Sequence, residues 1–209
     1  MSEQKQYSHE AAIAAVIDYW FADIGDGFDV SQQYKRWFSG GADVDREIAE
    51  RFGDLVRDGL RELLSHWAET ARGTLALILV LDQFTRNVYR GSARAFAGDD
   101  LARQVLYRAL AQGHDRPLNL VQRSFFYMPL QHSESLADQQ RSVELFQQLL
   151  DEAPEQGKAL LSSNLDYALQ HRDIIVRFGR FPHRNAVLSR APTSDEQAYL
   201  SDGGARFGQ

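Results

Sequence analysis

Apolar residues recur at helical spacing along most of the chain, and this periodicity constrains the fold more than any other feature. The first such segment places its apolar side chains three and four residues apart, at Ile13, Val16, Ile17, Trp20, Phe21 and Ile24. That spacing puts them on one face of an amphipathic helix. No segment alternates apolar and polar residues in the way of a half-buried strand. The sequence therefore predicts an all-α fold.

Capping and helix-breaking residues divide the chain into about eight or nine predicted helices. The apolar run LALILVL at 75–81 also suits a buried strand, but its Ala and Leu content and the lack of turn residues favour a buried helix over 74–90. The later helices are predicted to run from Asp99 to Gly113, from Asn119 to Pro129, from Ser135 to Leu150 and from Glu155 to Gly179. A capping box of Ser194 with Gln197 predicts a short terminal helix. Such a series predicts packed helical hairpins.

The composition fits one compact domain over residues 1–209, with fraying at residues 1–7 and 202–209. The chain has 44% hydrophobic residues, enough for a sizeable core, and no cysteine, which excludes disulfides and thiolate metal sites. Its longest apolar run is far shorter than the roughly 20 residues of a membrane span, and its polar start lacks the order of a secretory signal. A net charge of −6 argues against nucleic-acid binding. We therefore predict a cytoplasmic protein without membrane or nucleic-acid partners.

Two clusters of polar residues interrupt the apolar pattern. On the predicted helix 74–90, Asp82 and Arg86 continue a buried stripe, and Gln83 and Asn87 repeat the same spacing beside them. In YMPLQHSES at 127–135, the residues His132, Ser133 and Glu134 fall beside a helix N-terminus, where backbone N–H groups favour an anion. His132 and Glu134 are suited to act as a general acid and base.

A third cluster lies in HRDIIVRFGRFPHRN at 171–185, where His171 interrupts an apolar stripe. Gly179 allows a sharp turn and Pro182 stiffens its exit. The turn presents the polar side chains of Arg180, His183, Arg184 and Asn185. Arginine is suited to a fixed, bidentate grip on a carboxylate or phosphate, so this turn is a candidate anion site.

Five segments resemble a bacterial family, the domain of unknown function 924. They are DYWF at 18–21, WFSGGADVDREIAERF at 37–52, LDQFTRNVYRGSARAFAGD at 81–99, FFYMPLQHSESLADQQRSVELF at 125–146 and HRDIIVRFGRFPHRNAVLSR at 171–190. The resemblance covers nearly the whole chain and implies a helical fold of the tetratricopeptide-like kind. It implies no activity, because the family's activity is unassigned.

The resemblance also assigns the family's polar motifs to particular residues of this chain. Carried over to this chain, they are Asp82, Gln83, Arg86, Asn87, Arg94, His132, Ser133, Glu134, Arg180, His183, Arg184 and Asn185. The chain departs from the family at Thr85, where proline is usual, and at Gln131, where methionine is common. Neither difference removes a charged motif residue.

The polar clusters support three hypotheses. In the first, they line a pocket for a small anionic ligand, with Arg86, Arg180 and Arg184 holding the anion, and His132, His183 and Glu134 transferring protons in an acid–base reaction such as ester hydrolysis. Asp82, Gln83, Asn87, Arg94 and Asn185 complete the predicted ligand contacts. In the second, an arginine-lined groove binds an acidic peptide, as an adaptor would. In the third, the clusters form a buried network that only fixes helix packing.

No metal site is predicted, and the sequence leaves the cofactor unknown. A metal site would have to recruit His132, Glu134, His171, His183 or Asp82, but their spacing matches no recognised metal motif. The neighbouring arginines would also repel a divalent cation unless an anion bridged them.

Overall fold

A computed structural model describes residues 9–22, 24, 27–38 and 41–207. All regular structure in these ranges is helical, as predicted. The α-helices are α1 (His9–Phe21), α2 (Ser31–Phe38), α3 (Gly41–Leu60), α4 (Ala71–Ile78), α5 (Thr85–Val88), α6 (Asp99–Gln112), α7 (Leu120–Gln131), α8 (Leu136–Asp151), α9 (Glu155–Phe178) and α10 (Ser194–Ser201). A π-helical segment, Leu79–Phe84, joins α4 to α5, and short 3₁₀ turns cover Ser65–Glu69, Ala93–Phe96 and Pro182–Arg184.

The continuous helix over 71–88 is the centre of the fold. The apolar side chains of its segment 75–81 are buried, Leu75, Ile78 and Leu79 completely, which explains why that segment is apolar on all sides. It packs against α1, α3, α6 and α7. With this helix counted once, the described ranges contain nine α-helices, in agreement with the predicted number.

Aromatic side chains hold α1 and α2 against this centre. The ring of Trp20 packs edge-on against those of Phe84 and Phe125, with centroids 5.4 and 5.7 Å apart. Trp37 packs on Phe125 at 4.6 Å and donates its indole N–H to the Trp20 carbonyl at 2.9 Å. Fully buried aromatic pairs of this kind stabilise beyond their buried area.

Consecutive helices α7, α8 and α9 pack against one another through short connections, as helical hairpins do. Gly113 ends α6 and Gly179 ends α9 in the left-handed conformation, as the sequence predicted. Asn119 opens α7 with a capping box formed with Gln122. The tetratricopeptide-like arrangement stays a prediction.

Two predicted boundaries are wrong. Pro129 does not end α7, which continues to Gln131. A proline removes one helical hydrogen bond, and the buried packing of its neighbours Phe126 and Leu130 compensates for that loss. The terminal capping box is formed by Thr193 and Glu196, one residue earlier than predicted.

The C-terminal segment packs on a small second apolar cluster. Ile174, Ile175 and Phe181 are buried there, and Tyr199 and Phe207 pack against them. The predicted fraying of residues 1–7 lies outside the described residues. Of residues 202–209, those up to Phe207 are described. Among the described helices, none is long and apolar enough to cross a lipid bilayer.

Candidate functional site

The π-helical segment carries Asp82. In its last turn the backbone N–H of Thr85 donates to the Val80 carbonyl, and the Thr85 hydroxyl donates to the same oxygen at 2.9 Å. A proline at position 85 would lack this N–H. A π-helical turn takes up one more residue than an α-helical turn, and such segments occur often at functional sites.

Asp82 is fully buried and joins two of the predicted clusters. Its carboxylate lies 2.7 Å from Nδ1 of His132, which comes from the end of α7. Because a carboxylate only accepts hydrogen bonds, His132 carries its proton on Nδ1 and leaves Nε2 with a lone pair. Arg86 donates to Asp82 Oδ1 at 3.2 Å and to the backbone carbonyl of Asp82 at 2.7 Å. Gln83 donates to the second carboxylate oxygen of Asp82, Oδ2.

Arg86 pairs with two carboxylates of this group. Besides Asp82 it binds Asp99, the first residue of α6, in a two-pronged ion pair of 2.8 and 3.1 Å. Asp99 did not figure among the predicted site residues. It lies in the segment 81–99 that resembles the family, and the sequence suggested for it only a favourable position at a helix N-terminus.

Neighbouring charges set the protonation states of this group. Burial alone would raise the pKa of Asp82, but Arg86 and His132 outweigh it and hold that pKa well below its usual value. Burial and the Arg86 charge together lower the pKa of His132, against the opposing effect of Asp82. At neutral pH the pair is therefore an aspartate and a neutral histidine.

Arg184 is the least paired cation of the site. It is 6% exposed, and its guanidinium lies 4.5 Å from the ring centroids of both Phe96 and Phe181. Its ion pair with Asp99 is long, at 3.4 Å, and its buried Nε has no hydrogen-bond partner. Burial and the nearby Arg86 lower the pKa of Arg184 to about 10, so the side chain is charged at neutral pH.

Three histidines, His132 among them, lie in or beside this group. The rings of His132 and His171 lie 6.2 Å apart, and His171 stacks on Phe207 at 3.6 Å. His171 is buried, and Nδ1 of His183 is buried without a hydrogen-bond partner. Burial lowers the pKa of His171 well below its ordinary value, and burial with the charge of Arg184 lowers the pKa of His183 to about 3. Both are therefore neutral at physiological pH.

Glu134 and two residues of the turn engage other partners. Glu134 accepts a two-pronged ion pair from Arg190, at 2.7 and 3.0 Å, and the backbone N–H of Phe181 at 2.8 Å. Arg180 and Asn185 both bind Glu196, at 2.6 and 3.1 Å. Arg190 and Glu196 were not predicted, although Arg190 ends the family-like segment 171–190 and Glu196 fits a capping box with Thr193.

Two further predicted residues have their contacts elsewhere. Asn87 donates to Asp45 of α3 at 2.8 Å, and Arg94 is exposed and lies 3.9 Å from the Tyr89 ring. The predicted pocket has no matching cavity among the two that are described, which measure about 340 and 110 Å³. Their walls include none of the predicted site residues. Within the described part of the chain, no group of three or more His, Asp or Glu side chains is arranged to hold a metal ion.

This arrangement defines an all-helical protein in which the π-helical segment, the end of α7, the start of α6 and the turn after α9 meet through Asp82, Arg86, His132, Asp99 and Arg184. The chain belongs to the DUF924 family of bacterial proteins of unknown function, whose family model matches residues 16–204. It is similar to the solved structure of ATU0120 from Agrobacterium tumefaciens, also a protein of unknown function. The two are 38% identical, with a TM-score of 0.79 over 93% of this chain and 99% of that one. No curated protein matches the chain.

The buried histidines predict a loss of stability on mild acidification. In the folded protein His171 and His183 stay neutral, whereas in the unfolded chain they take up protons below about pH 6.5. Unfolding therefore takes up protons, and stability falls as pH drops from about 6.5 towards 4.5, by up to about 1.4 kcal/mol per pH unit for each histidine. Denaturant titrations across this range measure that slope.

The matched variants for this slope are His183→Gln, which should flatten it, and His66→Gln at an exposed position, which should not. The carboxylates Asp82 and Glu134 do not account for a slope in this pH range. The pKa values of Asp82 and Glu134 are lowered by folding, so their contributions are lost only as pH falls below their ordinary values of 3.8 and 4.5. An unchanged slope in His183→Gln would show that folding does not lower the pKa of His183.

Proposed function

We propose that the His132–Asp82 pair is an acid–base site that acts on a small anionic ligand, with ester hydrolysis as the reaction class. The observation that supports this most directly is the 2.7 Å contact between His132 Nδ1 and a carboxylate that is itself fully buried. An aspartate in that position fixes the ring and its tautomer. The His132 side chain is 17% exposed, so the ring is partly accessible.

The chemistry follows from the protonation states. Neutral His132 has a lone pair on Nε2 and can take a proton from water or from a ligand hydroxyl. The positive charge that forms on its ring is stabilised by Asp82, 2.7 Å away. Arg184 supplies an under-paired positive charge for an anionic group of the ligand.

In this proposal the twelve motif residues have unequal roles. His132 transfers the proton, Asp82 positions it, and Arg86 and Gln83 position Asp82. Glu134, predicted to be catalytic, shapes the turn instead, because it is bound by Arg190 and by the Phe181 backbone. His183 stays a candidate for ligand contact through its unpartnered Nδ1.

A purely structural network is the second candidate. It is favoured by the ion pairs of Arg86 with Asp99 and of Glu134 with Arg190, since paired buried charges can specify how helices meet. The adaptor hypothesis has less support. Arg86, Arg180 and Arg190 are all bound to acidic residues of this chain, and an acidic peptide would have to displace those residues.

The first test is hydrolysis of a panel of 4-nitrophenyl carboxylate and phosphate esters by the wild-type protein and by His132→Gln. We expect His132→Gln to lower kcat/KM for any hydrolysed ester by a factor of about 100 or more, because it removes the general base. His66→Gln, which changes an exposed histidine, should retain wild-type turnover.

Unfolding free energies of the same variants separate the two candidates. A proton-transfer role predicts that His132→Gln loses turnover with a loss of less than about 1 kcal/mol in stability. The structural role predicts no turnover of any ester by the wild-type protein and a loss of about 1–3 kcal/mol in the variant. That second combination of results would refute the acid–base proposal.

A further inference from the structure

Arg184 differs from every other buried charged group of the described chain in its hydrogen bonding. Seven buried side-chain nitrogen or oxygen atoms in the described ranges have no hydrogen-bond partner, and Arg184 Nε is the only one of them on a charged side chain. A buried charge without full pairing costs free energy, and proteins retain such groups mainly where function requires them. Nδ1 of the preceding residue, His183, is a second unpartnered atom in the same turn.

The free donors of Arg184 share one edge of the guanidinium. Its hydrogen bond to Asp99, at 3.4 Å, leaves from Nη1. The Nε and Nη2 groups lie together on another edge, and two parallel N–H donors on one edge match the two oxygens of a carboxylate. This edge has the form of a receptor for a bidentate ligand.

The surroundings of that edge select among anions. Phe96 and Phe181 lie against the guanidinium, each with its centroid 4.5 Å from Cζ, so an anion has to approach in the guanidinium plane. A planar carboxylate fits such an approach. A tetrahedral phosphate would direct further charged oxygens towards the rings and towards Asp99.

The local charge count favours the same class of ligand. Arg86 and Arg184 are matched by Asp82 and Asp99, and the neighbouring His132, His171 and His183 have lowered pKa values and are neutral. A monoanion adds one negative charge to a neutral group, whereas a phosphate dianion adds two beside two aspartates. Electrostatic repulsion therefore penalises the dianion more.

We propose that Arg184 is the anion-binding residue of this site and that it binds a carboxylate group of the ligand in the guanidinium plane. This inference rests on the proposed function and gives its anionic ligand a chemical class. It also separates Arg184 from Arg86, which is held by the carboxylates of both Asp82 and Asp99 and positions Asp82.

The test uses acetate, inorganic phosphate and the uncharged isostere acetamide as probes. Each is titrated into ¹⁵N-labelled full-length protein at constant ionic strength, and the backbone amides of residues 181–185 and the Arg184 Nε–H are followed by NMR. We expect saturable shifts with acetate, a Kd for phosphate at least tenfold higher, and no saturation with acetamide. Arg184→Lys keeps the charge but loses the fork, and should raise the acetate Kd at least tenfold.

Arg172→Lys is the matched control, because Arg172 lies in the same stretch of sequence and pairs with its neighbour Asp173. It should leave the acetate Kd within twofold of wild type. Equal saturation by phosphate would overturn the carboxylate class, and so would saturation by acetamide. No saturable acetate shift in the wild-type protein would overturn the site itself, and this result does not depend on any variant folding.

The two proposals fail in different ways. Saturable acetate binding without turnover of any ester would uphold the carboxylate site and refute acid–base catalysis. Ester turnover that depends on His132 but is not inhibited by acetate would refute the carboxylate site and uphold catalysis.

Discussion

Replacement of Asp82 by alanine is expected to lower the free energy of unfolding by about 3–5 kcal/mol, the cost of breaking a buried ion pair from one side. The change leaves the His132 Nδ1–H without its acceptor and leaves Arg86 with Asp99 as its only carboxylate partner. Urea titration of the variant and the wild type measures the difference. The largest part of the loss comes from desolvated donors, because Asp82 is fully buried.

The control is Asp43→Ala. Asp43 also pairs with an arginine, Arg46, but its side chain is 90% exposed. Surface pairs contribute little, so this variant should stay within about 0.5 kcal/mol of wild type. A loss below about 1 kcal/mol in Asp82→Ala would mean that the buried group is not held as the structure describes it.

The second large effect is expected for Gly98→Ala, with a loss of about 1–3 kcal/mol. A Cβ atom on Gly98 would lie 2.1 Å from the carbonyl oxygen of Leu81, and this oxygen belongs to backbone that cannot rotate away. The variant must therefore push the start of α6 from the π-helical segment. Because Asp99 follows directly, the same shift should lengthen its contacts with Arg86 and Arg184.

The backbone of Gly98 makes the cause specific. Its φ of −91° is open to alanine, so strain in the chain is not the reason for the expected loss. Gly53→Ala is the matched control, since a Cβ there meets only Arg57 Nη1 at an ordinary 3.5 Å. Gly53 lies inside α3, where alanine is favoured by about 1 kcal/mol, so this variant should be as stable as wild type or more stable. Equal losses in both variants would contradict the close contact with Leu81.

The sequence predicted the all-helical class and the polar motif residues, because both depend on patterns within short segments. Apolar periodicity and the capping residues Gly113, Asn119 and Gly179 each depend only on the helix in which they occur. The terminal capping box shows the limit of such signals. The chain offers two overlapping matches, and Thr193 with Glu196 prevails because Glu196 also binds Arg180 and Asn185.

The pairing of the polar residues could not be predicted, because it depends on which helix faces which. Asp82 and His132 are 50 residues apart in sequence, and Asp99 and Arg184 are 85 apart. The π-helical segment was also unpredictable. Its extra residue rotates the side chains that follow it relative to those that precede it, although Asp82 and Arg86 still meet in an ion pair as their spacing predicted.

The position of the aromatic core determines what an optical experiment on this protein can detect. All three tryptophans, Trp20, Trp37 and Trp67, precede the central helix in sequence, and none lies in α6–α10 or in the turn that carries Arg184. Tryptophan fluorescence therefore reports the packing of the N-terminal helices on Phe84 of the central helix and on Phe125 of α7. Local opening of the turn at 179–185 leaves that emission unchanged, so a tryptophan signal has to be paired with a probe of the C-terminal helices before unfolding is treated as a single step.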